Sequence, residues 1–230
     1  MSGPEIDWSA IRLVVFDVDG TLYDQRAMRS RMLRELAINI AETRSLVTPR
    51  VLRNYRRTRE AVSKREVRDF EEPLIAESAK LSRVGPDRVR TIVAEWIEHR
   101  PIAHMRACRF PHVSELFAAL SRNEKRIGIF SDYPAAEKLR GMDLSADYVV
   151  AAGDASVGIL KPHPRGLRFL MDLAGIGPGE TIMIGDRIEK DGEAARRAGV
   201  ASLIRSDRPK SGWPTFSRFS DPVFAPLHGR

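Results

Sequence analysis

The feature that most constrains this chain is a repeated pattern: a short apolar run, often β-branched, that ends abruptly in a polar cluster. Ile11–Phe16 ends in Asp17-Val18-Asp19-Gly20-Thr21, and Arg126–Phe130 ends in Ser131-Asp132. Tyr148–Ala152 runs into Gly153-Asp154, Thr181–Ile184 into Gly185-Asp186, and Val200–Ile204 closes the series. Runs this short and this solidly apolar read as strands buried on both faces of a parallel sheet. Helical spacing fills the gaps at His112–Arg122, Ala135–Arg140, Pro164–Ala174 and Glu189–Ala198. The alternation predicts an α/β fold whose right-handed crossovers place helices on both faces of the sheet.

One gap breaks the pattern. Residues 17–125 contain no strand-like run, and Met28, Met32, Leu33, Leu36 and Ile40 recur at helical spacing. Arg50–Arg68, Pro73–Ser82 and Pro86–Glu98 continue in the same manner, with Thr48-Pro49 and Gly85-Pro86 as start signals. An all-helical insertion is therefore expected over 24–108, leaving 1–23 and 109–230 as a discontinuous core domain. The Met28/Met32 stripe reads as the insertion's own core. The tail from Ser206, rich in Pro, Gly and Ser, reads as surface wrap with one short edge strand near Val223.

Composition narrows the class further. With 43% hydrophobic and 30% charged residues in 230, the chain buries a real core and wholesale disorder is excluded. No apolar run approaches the roughly 20 residues of a membrane helix. The first residues, MSGPEIDWSAIR, lack a basic segment, so no signal peptide is expected. A lone cysteine, Cys108, rules out an internal disulfide and cysteine-built metal sites, and a reducing, cytoplasmic setting is expected. The net charge of +7 falls wholly within residues 24–108, and the remainder is neutral.

Every strongly polar cluster lies at the C-terminal end of a predicted strand, the edge where open α/β sheets bind ligands. Taken singly, each cluster also has an ordinary reading. Asp-Gly is a common turn dipeptide, Ser131 could cap a helix, Lys161 could be a solvated surface residue, and Asp191 could complement a helix dipole. His99 and His104 have no acidic helix partner at zinc spacing, and Gly175–Gly179 lacks the lysine of a phosphate loop, so it reads as a helix stop.

Together, however, DVDGT (17–21), FSD (130–132), KPHP (161–164) and GDRIEKD (185–191) resemble, in order and spacing, the four motifs of the haloacid dehalogenase-like superfamily. The helical insertion resembles that superfamily's subclass I cap. The resemblance implies a Rossmann-like catalytic core with a helical cap domain. It also implies a Mg²⁺-dependent phosphatase acting on a small phosphorylated metabolite, as a monomer or homodimer without a membrane partner. Asp17 would be the nucleophile that forms an aspartyl-phosphate, and Asp19 the acid and base that serves the leaving alcohol and the attacking water. Mg²⁺ would be held by the carboxylates of Asp17 and Asp186 and the main-chain carbonyl of Asp19. Thr21 and Ser131 would bind phosphoryl oxygens, and Lys161 would hold Asp17 and stabilise the transferring group. Gly20, Asp132 and Asp191 would support these groups.

Asp19 departs from the dehalogenase branch, which has no leaving alkoxide to protonate, and from the Asp-x-Ala form of the phosphonatase branch. Phe110-Pro111-His112-Val113 departs mildly from the Tyr-Pro-Gly of many relatives, and His112 reads as a helix-start residue. Arg50, Arg53 and Arg57 share one helical face, a candidate for receiving the distal part of an anionic substrate. Two other readings remain open. A phosphomutase would use the same core residues. An anion- or nucleic-acid-binding module could use arginine runs such as Arg53–Arg59, although interleaved Glu35, Glu42, Glu60 and Glu66 make that the weaker reading.

Overall fold

The computed structural model describes residues 6–228. Residues 1–5, part of the stretch read as lacking a signal segment, lie outside the described residues. The five expected strands form at β1 (Leu13–Phe16), β2 (Arg126–Ser131), β3 (Tyr148–Ala151), β4 (Thr181–Gly185) and β5 (Ala201–Arg205). A two-residue β6 (Thr215–Phe216) extends the sheet, whose order is β3-β2-β1-β4-β5-β6 with every pair parallel. All four residues of β1 are buried, as a central strand covered on both faces requires.

The register decides where the chemistry can sit. Phe16 pairs with Ile129 on one side and Ile184 on the other. Asp17 thus leaves the sheet level with Phe130 and Gly185, and its amide still donates to the Ile184 carbonyl at 2.9 Å. Because β1 lies between β2 and β4, the chain order reverses there, and the crevice at that switch point opens over Asp17.

Alternation along β1 feeds two cores. Val14 and Phe16 join Val113, Leu116 and Leu120 of α6 (Val113–Arg122), while Leu13 and Val15 join Leu167 and Leu170 of α8 (Arg165–Ala174). In chain order α7 (Ala136–Gly141) comes between these two helices, and α9 (Glu193–Ala198) precedes β5. Gly175 ends α8 in the left-handed region at φ 63°, the helix stop read from the sequence.

The tail differs from expectation. Its strand is Thr215–Phe216, whereas Pro222–Phe224 is a 3₁₀ turn leading into α10 (Ala225–His228). Nor is the tail only a surface wrap. Phe216, Phe219, Phe224 and Leu227 are buried in the same core as Val14, and the Trp8 indole donates to the Val223 carbonyl at 2.6 Å. Aromatic burial, invisible in a Pro- and Gly-rich composition, closes this side of the sheet.

The insertion after β1 is helical throughout: α1 (Gln25–Thr43), α2 (Val47–Arg65), α3 (Glu71–Ser82), α4 (Pro86–Val93) and α5 (Met105–Cys108). Asp24 caps α1 by accepting from the amides of Arg26 and Ala27. The second helix starts and stops three residues earlier than its apolar spacing suggests. Glu66 turns left-handed at φ 52° and its amide caps the end of α2. Between α4 and α5, Ala94–His99 widens into a π turn, followed by a 3₁₀ segment.

Gly166 sits in α8 where a methyl group would press into the fully buried Phe130 ring. Gly166→Ala gains about 1 kcal/mol of helix propensity, but overpacking a fixed ring costs about 1–3 kcal/mol. Urea denaturation should show a net loss of stability. A variant as stable as the parent would mean that the Phe130 ring can move aside.

Candidate active site

The site grows from the C-terminal ends of β1, β2 and β4. Asp17 is buried, and both of its carboxylate oxygens are engaged: Oδ1 accepts from Lys161 Nζ at 2.5 Å, and Oδ2 from Thr21 Oγ1 at 3.0 Å. Lys161 is 2% exposed and also donates to Asp191 Oδ1 at 2.6 Å and to the Phe130 carbonyl at 3.2 Å. Burial alone would drive its ammonium toward neutrality. The charges of Asp17, Asp191 and Asp132 outweigh burial and hold its pKa above the usual lysine range.

Two motif glycines permit this crowding. A Cβ at Gly20, which has φ 97°, would collide with the Asp186 carboxylate. A Cβ at Gly185 would collide with Asp191. The expected helix start near Glu189 is instead a π turn, Ile188–Gly192, which carries Asp191 inward. Asp191 Oδ2 then accepts from the amides of Asp186 and Arg187 at 3.2 and 3.0 Å.

Carboxylate oxygens of Asp17, Asp186 and Asp191 lie within 4.8 Å of one another. Burial, reinforced by the neighbouring acids, raises the Asp17 pKa and pushes Asp186 up to about 7. Lys161 is shared between Asp17 and Asp191, and Asp186 makes no ion pair among the described residues. Three acids facing one ammonium leave a deficit of positive charge, and an all-oxygen donor set suits a hard divalent cation. The residues present therefore fit such an ion.

Asp19 faces a different partner. Lys138, only 4% exposed, donates to both of its oxygens at 2.6 and 2.8 Å, and the Tyr23 hydroxyl donates to Oδ1. Burial works against the Asp19 charge, but Lys138 and Tyr23 outweigh it and hold the pKa below the usual carboxylate range. Lys138 also lies 5.2 Å from the Tyr133 ring centroid, within cation–π range. Asp132 accepts from the Lys161 amide at 3.1 Å and from Lys190 Nζ at 2.8 Å.

The hydroxyls expected on phosphoryl oxygens have protein partners. Thr21 is fully buried against Asp17, and Ser131, also fully buried, accepts from the Tyr133 amide at 3.2 Å. Neither lines the cavity of about 610 Å³ that opens between the sheet edge and the insertion.

The arginine face needs a correction. Arg50, Arg53 and Arg57 are exposed and do not line the cavity. The side of α2 that buries Val51, Leu52, Tyr55 and Arg59 turns inward, so Arg56 and Arg59 reach the cavity instead. Arg59 stacks 4.0 Å from the Tyr133 ring centroid and donates to the Tyr55 hydroxyl and the Asp132 carbonyl. Glu60 bridges to Arg187 at 2.7 Å, and Ser63 Oγ donates to the Lys161 carbonyl at 2.5 Å. Lys138 and Tyr23 were missed from the sequence, and Arg56 and Arg59 were read only as part of the Arg53–Arg59 run. Lys138 could have been found only by asking which face of α7 turns toward Asp19.

The haloacid dehalogenase-like hydrolase family matches residues 11–199, and the chain belongs to it. The chain is 27% identical over 137 residues to a phosphoserine phosphatase of Thermus thermophilus, an alignment covering 58% of this chain and 53% of that protein. It thus spans about half the length of that curated relative. A 2-haloacid dehalogenase of Pseudomonas syringae shares the fold at TM-score 0.65 and 18% identity, covering 94% of this chain and 99% of that one. A magnesium-bound hydrolase of the same family from Bacillus subtilis superposes at TM-score 0.66 and 16% identity, covering 95% and 99%.

Replacing Lys138 with Met strands a largely buried Asp19 carboxylate. Removing one partner of such a pair costs about 3 kcal/mol. Urea denaturation should show that loss, and Lys138→Met combined with Asp19→Asn should recover most of it. Full stability in the single variant would remove the pairing argument.

Proposed function

We propose that this hydrolase is a Mg²⁺-dependent phosphatase that cleaves a small phosphorylated metabolite through an aspartyl-phosphate on Asp17. The observation that carries this reading is a buried Asp17 inside a charge-deficient carboxylate cluster, with the second acid, Asp19, lining the same cavity. Asp17 attacks phosphorus, forming an acyl-phosphate bond as the bond to the leaving oxygen breaks. Lys161 opposes the burial-driven rise in the Asp17 pKa, orients its carboxylate and offsets charge on the transferring group. Water then attacks phosphorus, Asp19 accepts its proton, and Asp17 departs as a carboxylate with inorganic phosphate released. The Lys138 and Tyr23 contacts favour the ionised form of Asp19 that this second step needs. In the first step the same carboxyl group, when protonated, serves the leaving alkoxide. Bound Mg²⁺, with Asp17, Asp186 and the Asp19 carbonyl as protein ligands, would supply neutralising charge for the phosphoryl oxygens.

A dehalogenase is the second reading, favoured by the fold shared with the Pseudomonas syringae enzyme. That likeness, at 18% identity, concerns the fold alone. Dehalogenation has no leaving alkoxide and no use for an acid at position 19, so Asp19 argues for phosphoester chemistry.

The purified protein with Mg²⁺ should release phosphate from 4-nitrophenyl phosphate and no chloride from 2-chloropropionate. Chelation should stop turnover and added Mg²⁺ restore it, while Asp17→Asn should abolish it because an amide cannot form the acyl-phosphate. Chloride release without phosphate release would reverse the assignment.

Charge reversal separates the two arginine faces. Arg56→Glu should raise KM several-fold, and more so at low ionic strength. Arg53→Glu should leave KM unchanged. Equal effects at both positions would make the charge of the insertion a long-range steering field rather than a contact.

A further inference from the structure

The first insertion helix carries an observation that the phosphatase chemistry does not use. Of the 19 residues of α1, only Met28 is buried. Met28, Met32 and Leu36 nonetheless recur at i, i+4 and i+8, and all three line the cavity. Leu33 lines it too and is 63% exposed. The stripe read from the sequence as core does pack into it, with Met28 buried and Met32 and Leu36 against it, and the same side chains also form a wall of the open cavity. Facing it, the π turn at Ala94–His99 brings Trp96 and Ile97 to the same space. A π turn interrupting a helix is a frequent companion of a functional site.

Most cations that line the cavity already have protein partners. Arg59 bonds Tyr55 and the Asp132 carbonyl, Arg187 pairs with Glu60, Lys190 with Asp132, Lys138 with Asp19, and Lys161 with Asp17 and Asp191. Arg29 donates to Gln25 Oε1 at 2.6 Å. Among the described residues, Arg56 is the one cation lining the cavity without a hydrogen bond or ion pair. The phosphoryl group is met by Lys161 at the Asp17 end, and the part of the substrate beyond it meets the apolar wall formed by α1, Trp96 and Ile97. At about 610 Å³ the cavity lies in the range of sites that enclose drug-sized ligands, well beyond the needs of a phosphate with a short tail.

We propose that the leaving group of the substrate is bulky, apolar and uncharged, an aryl or branched alkyl alcohol seated against Met32, Leu36 and Trp96. This rests on the phosphatase reading and narrows its substrate class away from short carboxylate-bearing esters such as phosphoserine. An apolar leaving group removes the α1 stripe from water, where its exposure is otherwise unfavourable. Its affinity should grow with ring area, roughly 10- to 100-fold from a methyl to a naphthyl group.

The test measures both binding and turnover. Calorimetry with Mg²⁺ present compares 1-naphthyl phosphate, methyl phosphate, phosphoserine and inorganic phosphate, and phosphate release gives kcat/KM for the three esters. Binding of the naphthyl ester at least about tenfold tighter than the methyl ester, with a matching kcat/KM ratio, is the expected result. Leu36→Glu should collapse that ratio toward one. Ile38→Glu, on an exposed position of the same helix that does not line the cavity, should preserve it. Tight naphthyl binding without phosphate release would keep this inference and overturn the phosphatase reading. Naphthyl and methyl esters binding alike, or phosphoserine preferred over both, would overturn the inference, and turnover of any ester would then leave the phosphatase reading standing.

Discussion

One buried ammonium holds the catalytic edge together. Lys161 Nζ contacts the carboxylate after β1, the carbonyl of Phe130 in β2 and the carboxylate of Asp191 after β4. Its own amide donates to Asp132, and its carbonyl accepts from Ser63 of the insertion. A cation 2% exposed is tolerable only with anions in direct contact, and those anions are tolerable only with the cation. Three strand ends and the insertion are thereby tied to one atom group. Removing it would leave Asp17 and Asp191 buried and mutually repulsive.

The rest of the site follows from how closely the acids approach. Gly20 and Gly185 lack the side chains that would push Asp186 and Asp191 away. The π turn adds the residue that turns Asp191 inward, where two backbone amides and Lys161 satisfy its oxygens. The cluster that results is over-supplied with negative charge on one side, at Asp186, and balanced on the other, at Lys161. That asymmetry suits the cluster to a hard cation better than a simple buried ion pair would.

The insertion is fastened along one helix and left open along another. On α2, Arg59, Glu60, Ser63 and Glu66 all reach core partners, the last pairing with Arg197. The Glu60 and Glu66 pairs are partly exposed, and each contributes little alone. The stacking of Arg59 on Tyr133 and the burial of Phe70 and Trp96 carry more of the docking. The first helix, α1, ties into the core through Met28 near its start, and farther along, Leu33 and Leu36 line the cavity.

The sequence by itself determined the strand series, the helical insertion, and the placing of Asp17 and Asp186 directly after β1 and β4, while Lys161 and Asp191 arrive from the loop before α8 and from the π turn. The strands, the insertion and those two placings follow from local rules: apolar runs of strand length, helical spacing, and polar residues at the point where a strand emerges from its sheet. The tertiary structure alone decided the partners. Lys138 meets Asp19 from 119 residues away, Thr21 and Ser131 turn to protein groups, and the tail aromatics close a core that composition concealed. It also decided which side of α2 turns inward, selecting Arg56 and Arg59 over Arg50, Arg53 and Arg57. Periodicity defines the faces of a helix but not the direction each one points. That direction is set by which face buries the most apolar area against the sheet edge, a sum over contacts between residues far apart in the chain.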